Sequence, residues 1–143
     1  MPVSTLSVER AHAAQLGGAT YIDVRSGAEF AAGRPAGAIN VPLLDNDEDT
    51  GQLLPNPDFV RVMRANFPAD APLLVGCQSG GRSSRAAQML EAFGFTCVTN
   101  VPGGYESWKP SGLPTEAATP PSRAYAELLA VANASETDGG PGL

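Results

Sequence analysis

Apolar residues recur along the chain in two alternating rhythms. Short runs at Tyr21-Ile22-Asp23-Val24, Ile39-Asn40-Val41, Leu73-Leu74-Val75 and Thr96-Cys97-Val98-Thr99 have the length and composition of buried strands. Between them, apolar side chains return every three or four positions, the spacing of one helix face. Ser7 can cap a helix over Val8 to Leu16 that stops at Gly17-Gly18. Ser26 and Glu29 have capping-box spacing and open a short helical turn through Phe30 and Ala31. Asn56-Pro57-Asp58 starts another helix, with the proline at its first position and Phe59, Val60, Met63 and Phe67 as its apolar face. A helix from Arg85 to Phe93 turns Ala86, Ala87, Leu90 and Phe93 inward and stops at Gly94. Strands alternating with helices predict an α/β fold around a mostly parallel sheet.

Beyond the fourth strand, Gly103-Gly104 reads as a turn, Tyr105 to Lys109 as a short helical turn, and Pro110 to Pro121 as a proline-rich connector. An amphipathic segment from Ser122 to Ala132 can dock through Tyr125, Leu128 and Leu129, and Ser135 to Leu143 reads as a disordered tail. The expected organisation is a domain over 1–116, a connector with a C-terminal helix over 117–134, and a tail over 135–143.

Composition narrows the function more than the fold. The 143 residues suit one domain, and the net charge of -6 with no basic run argues against nucleic-acid or membrane-surface binding. No apolar stretch is long enough to span a membrane, and Glu9, Arg10 and His12 interrupt any signal-like core, so a cytoplasmic protein is expected. Cys77 and Cys97 lack CxxC spacing and His12 is the sole histidine, which supports neither a metal site nor a disulfide scaffold. Cys97 is expected in the interior of its strand, and His12 on the first helix, exposed or partly buried. The run Asp45-Asn46-Asp47-Glu48-Asp49-Thr50-Gly51 has a calcium-loop look. Its glycine falls one place late and Asn56 occupies the place of the chelating glutamate, so a solvated loop is expected.

The chemistry concentrates in Cys77-Gln78-Ser79-Gly80-Gly81-Arg82-Ser83-Ser84, between a strand and a helix. A glycine-rich bend there can turn several backbone N–H groups inward, and with the positive end of the helix dipole these favour an anion at its centre. Cys77 is thereby a candidate nucleophile, favoured as its thiolate. Gly80 and Gly81 allow close approach of the backbone, and Arg82 adds a permanent positive charge. Ser83 either donates its hydroxyl to the loop or starts the helix, and Arg85 reads as a surface charge. No histidine lies near in sequence to act as a base, which argues against a Cys-His protease. Asp23 and Arg25 end the strand beside the loop and are expected to pair structurally while supporting the site. Trp108 and Tyr105 are expected to pack the core.

Three ordered motifs carry a family likeness. They are Tyr21 to Phe30 continuing through Gly33-Arg34-Pro35-Ala36-Gly37-Ala38-Ile39-Asn40-Val41-Pro42, the Cys77 to Ser83 loop, and Gly103-Gly104-Tyr105-Glu106-Ser107-Trp108 followed by Gly112-Leu113-Pro114. From about Ser4 to Thr115 the chain resembles a single-domain rhodanese, most closely the plant senescence-associated and bacterial single-domain members. The resemblance implies a rhodanese-like fold, a mostly parallel five-stranded sheet with helices on both faces. It also implies a sulfurtransferase without a cofactor. The Cys77 thiolate would take the outer sulfur of a donor such as thiosulfate as a persulfide and pass it to a thiol or to cyanide, within the Gln78, Ser79, Gly80, Gly81, Arg82 and Ser83 loop. Arg82 would hold the donor's charged end. Thioredoxin or a cysteine desulfurase are the protein partners such chemistry admits. The neutral Gln78 and Ser79 replace the basic residues that follow the cysteine in thiosulfate-specific two-domain enzymes, and Arg34-Pro35-Ala36 departs from the family's histidine-isoleucine-proline turn. The competing readings are a persulfide carrier or protein-interaction module on the same fold, and a cysteine phosphatase. Phosphatases place five residues between nucleophile and arginine, whereas four separate Cys77 from Arg82.

Overall fold

The computed structural model describes residues 4–47, 49–117 and 123–139. In chain order the elements are β1 (Ser4–Thr5), α1 (Val8–Leu16), β2 (Thr20–Asp23), α2 (Gly27–Ala32), β3 (Arg34–Pro35), β4 (Ile39–Asn40), β5 (Leu44–Asn46) and β6 (Leu53–Pro55). They continue with α3 (Phe59–Asn66), β7 (Leu73–Gly76), α4 (Gly81–Ala92), β8 (Val98–Val101), α5 (Gly104–Trp108), β9 (Thr115–Glu116) and α6 (Arg123–Gly139). Strands β1, β8, β7, β2 and β4 lie side by side in that order, every neighbouring pair parallel, and form the expected five-stranded sheet.

Strand alternation divides the core between two faces. Ile22, Val24, Leu73, Val75 and Val98 point to one side, where they meet Phe59, Val62 and Met63 of α3 and Ala86, Ala87 and Leu90 of α4. Tyr21, Leu74 and Val101 point to the other, against Val8 and Ala11 of α1, Phe30 of α2 and Trp108 of α5. Tyr125, Leu128 and Leu129 of α6 dock on the first cluster, as their spacing predicts, and Ala132 is buried there. Trp108 closes the second cluster with edge contacts to Tyr21 at 5.4 Å and to the partly buried His12 at 5.6 Å.

Local signals worked where capping chemistry was explicit. The Ser7 side chain caps α1 by accepting from the Arg10 N–H, and the Ser26–Glu29 capping box at α2 is complete. Elsewhere the boundaries moved. Helix α3 begins at Phe59, because the Asn56 side chain accepts the Asp58 N–H and holds Pro57 in a preceding turn. Helix α4 begins at Gly81, four residues before the expected start, and so absorbs Arg82, Ser83 and Ser84. Phe93 is not inward: α4 ends at Ala92, Phe93 is 49 % exposed with Arg64 stacked on it, and Phe95 takes the interior place after the turn at Gly94. Cys97 is exposed because β8 starts only at Val98, which leaves Cys97 in the bend before the strand.

Of the acidic run, Asp45 and Asn46 belong to β5, Glu48 lies outside the described residues, and Asp47 accepts from the Thr50 backbone and hydroxyl in the β5–β6 connection. The connector after Pro110 is partly anchored, since β9 pairs with β3 and Glu116 bridges Arg34. Helix α6 runs past Ala132 into the segment read as a tail, and residues 140–143 lie outside the described residues. No described helix is long and apolar enough to cross a membrane.

Leu90 and Phe93 separate the two readings of α4. Leu90→Ala should cost about 2–5 kcal/mol, whereas Phe93→Ala should cost under about 1 kcal/mol. Urea unfolding of both variants measures this, and comparable losses would contradict the placement.

Candidate active site

Cys77 follows β7 directly, at the carboxyl end of a central strand of the parallel sheet, where α/β folds gather their ligands. Its side chain is 2 % exposed. The sulfur accepts the Gly80 N–H at 3.0 Å, and the thiol donates to Ser83 Oγ at 3.5 Å. Ser83 donates in turn to the Gly80 carbonyl at 3.1 Å. Gly80 reaches back to the sulfur by adopting φ 107°, in the left-handed region that side chains disfavour. Ser84 makes the first bond of α4, to the Gly80 carbonyl, so the amides of Gly81, Arg82 and Ser83 head the helix without a carbonyl partner inside it. The positive end of a twelve-residue helix therefore lies against the sulfur.

The back of the loop is clasped by α5. The Tyr105 N–H donates to the Cys77 carbonyl at 2.8 Å and the Glu106 N–H to the Gln78 carbonyl at 3.0 Å. A trans peptide points its C=O and the following N–H in opposite directions, so the amides of Gln78 and Ser79 face away from α5 and into the bend. Gly104 makes the clasp possible: its φ is 56°, and a Cβ there would run into the Cys77 and Gln78 carbonyls. The Gly103-Gly104 pair is thus part of the site, a role that its reading as a turn did not reveal.

Asp23 and Arg25 pair as expected, with both side chains buried. Arg25 Nε donates to Asp23 Oδ1 at 3.0 Å and Nη2 to Oδ2 at 2.7 Å. The same guanidinium donates to the Gly33 carbonyl at 2.6 Å and to Gln78 Oε1 at 3.4 Å, and lies 4.6 Å over the Tyr105 ring. Arg25 therefore ties the end of β2 to the chain after α2, to the loop and to α5. Asn40 holds this corner by donating to the Asp23 and Arg25 carbonyls at 3.0 and 2.9 Å.

Arg82 has a partner that its position in the loop did not foretell. Its Nη1 and Nη2 donate to Glu29 Oε1 and Oε2 at 2.6 and 3.0 Å, a two-bond clamp between α4 and α2. Glu29 also accepts from the Ser26 N–H and hydroxyl, so one carboxylate serves the capping box and the loop arginine together. The Arg82 bonds hold the Glu29 carboxyl at about 2, against the opposing effect of partial burial, with Ser26 assisting.

Beside the loop lies a cavity of about 420 Å³. Arg25, Glu29, Gly33, Gln78, Tyr105, Glu106 and Lys109 are among the residues that line it. Tyr105 thus packs against the core, as expected, and also presents its ring to this space. Gln78 lines the cavity, whereas Cys77, Ser79, Gly80, Gly81, Arg82 and Ser83 do not. Among the described residues no cluster of His, Cys, Asp and Glu could hold a metal.

The Rhodanese-like domain family matches residues 7–111. The chain belongs to that family. It is 43 % identical over 114 residues to Thiosulfate sulfurtransferase 16, chloroplastic, of Arabidopsis thaliana, covering 80 % of this chain and 93 % of that one. Thiosulfate sulfurtransferase GlpE of Pseudomonas entomophila (strain L48) is 37 % identical over 113 residues, 79 % of this chain and 90 % of its own. The crystal structure of Rv0390 from M. tuberculosis shares the fold with a TM-score of 0.67 at 24 % identity, over 82 % of this chain and all of that one. Relatives at this level of identity, over most of both chains, place the rhodanese-like domain among the sulfurtransferase-type members.

The Glu29–Arg82 clamp sets a pH dependence of known sign. A carboxylate held below its unfolded value of about 4.3 stabilises the fold above that pH, and the contribution is lost as pH falls through about 2. An NMR titration of the Glu29 carboxyl should give a midpoint near 2; a midpoint at the unfolded value would show that the clamp does not form in solution.

Proposed function

We propose that Cys77 carries sulfur as a persulfide between a sulfane donor and a thiol or cyanide acceptor. The observation that carries this reading is the hydrogen bond from the Gly80 N–H to the Cys77 sulfur at 3.0 Å, within a loop whose carbonyls are turned outward to α5. Backbone donors preset around a sulfur stabilise negative charge there without reorganisation, whether it sits on the thiolate or on the persulfide.

In the first half-reaction the Cys77 thiolate attacks the outer sulfur of the donor. With thiosulfate a new S–S bond forms, the S–S bond of the donor breaks, and its electron pair leaves on sulfite. Ser83 has a part in this step. Its hydroxyl accepts from the thiol while donating to Gly80, and a hydroxyl hydrogen can rotate, so loss of the thiol proton frees Ser83 to turn its own donor onto the sulfur. In the second half-reaction the acceptor takes the outer sulfur and Cys77 returns as thiolate. The persulfide extends the cysteine by about 2 Å, which brings the transferable sulfur outward from a side chain that is itself buried. A phosphoryl group is a poorer occupant: the Arg82 donors that would hold its oxygens are bound to Glu29. Thioredoxin as acceptor and a cysteine desulfurase as donor fit the same two half-reactions.

Treatment with thiosulfate, 3-mercaptopyruvate or a cysteine desulfurase should raise the intact mass of the protein by one sulfur with at least one of these donors, and Cys77→Ala should show no gain. Free thiols should then discharge it repeatedly, as an enzyme requires and a dedicated carrier does not. Aryl phosphate hydrolysis without any sulfur adduct would overturn the assignment.

A further inference from the structure

The cavity beside the loop has a charge pattern that identifies the kind of molecule it suits. Three ionic side chains line it besides Lys109: Arg25, Glu29 and Glu106, and Glu29 is bonded to Arg82. Arg25 is neutralised by Asp23 and Glu29 by Arg82, through short two-bond contacts in each case. What remains for a ligand is one carboxylate, Glu106, and one ammonium, Lys109. Both are exposed, and they stand three residues apart on α5 and its C-cap, hence on one side of the helix. Tyr105, Ala32 and Pro110 also line the cavity and suit a short apolar stem.

We propose that this cavity binds the sulfur acceptor, and that the acceptor is a small thiol bearing both an ammonium and a carboxylate, of which cysteine is the simplest. Lys109 takes the carboxylate and Glu106 the ammonium. The cavity adjoins the loop: Gln78, which follows Cys77, lines it, and so does Tyr105, whose N–H is bonded to the Cys77 carbonyl. The bound thiolate attacks the outer sulfur of the Cys77 persulfide. One S–S bond forms, the bond to Cys77 Sγ breaks, and the electron pair returns to Cys77 as thiolate, so the product is the acceptor's hydropersulfide and no external oxidant or reductant is used. The proposal rests on the persulfide reading of Cys77.

The test loads the protein with sulfur first, confirms the added mass, and then follows its discharge at equal thiolate concentrations of four acceptors. These are L-cysteine, cysteamine without the carboxylate, 3-mercaptopropionate without the ammonium, and 2-mercaptoethanol with neither. Lys109→Gln should slow discharge by cysteine and 3-mercaptopropionate by about two- to fivefold, the range for one exposed ion pair, and leave cysteamine and 2-mercaptoethanol unchanged. Glu106→Gln should slow cysteine and cysteamine by a similar factor and spare the other two. 2-Mercaptoethanol thereby reports whether either variant has lost its fold or its loop. Substitutions that change all four rates alike, or none, overturn the proposal, whereas failure to load any sulfur would instead refute the persulfide reading on which it stands.

Discussion

Two hydrogen bonds from the start of α5 to the carbonyls of Cys77 and Gln78 determine what the loop can do. A loop of this length could present either face of its peptides to the sulfur. With two consecutive carbonyls engaged on one side, the following amides are committed to the other, and the Gly80 N–H and the head of α4 complete the same positive lining. The clasp depends on the absence of a side chain at Gly104, and Trp108, fully buried four residues on, anchors α5 in the second core cluster. The packing of one sheet face and the electrostatics of the bend around Cys77 are thus connected through a five-residue helix.

The ion pairs around the site work by restraint. Arg25 has no exposed surface to speak of and makes bonds to Asp23, Gly33 and Gln78 together with its stack on Tyr105. A buried arginine with so many partners costs more to disturb than an exposed pair adds to stability, because its removal strands the carboxylate of Asp23. Glu29 does the same for Arg82 from the opposite wall. The site consequently offers an anion its backbone dipoles more than its formal charges, in keeping with the neutral Gln78 and Ser79 that follow Cys77.

The sequence displayed four of the five strands of the central sheet, the caps at Ser7 and Ser26 and the position of Cys77, because each has a local signature: a short buried run, an oxygen at fixed spacing, a glycine-rich bend after a strand. It concealed contacts made over distance. Glu29 and Arg82 are 53 positions apart, and the periodicity of neither segment refers to the other. Gly103-Gly104 announces a turn in any setting; that α5 grips the peptide of Cys77 is a property of how the second face packs. Gly81 carries no helical pattern and intrinsically disfavours a helix, so α4 was read from Arg85 onward. Phe93 and Cys97 depart from their sequence patterns for a common reason. Each lies one residue outside an element whose pattern it continues, Phe93 after α4 and Cys97 before β8. Two-residue strands such as β1, β3 and β9 are too short to have a period at all.

Backbone hydrogen exchange at Tyr105 and Glu106 tests the clasp most directly, since these are the two amides that close it. Both amides should exchange slowly, with opening free energies close to those of Val75 and Gly76 in the central strand, as expected for bonds that open only with the core. Exchange of Tyr105 and Glu106 as fast as in an unstructured peptide, while Val75 and Gly76 stay protected, would contradict the account, because the loop's carbonyls would then be free and its amides uncommitted.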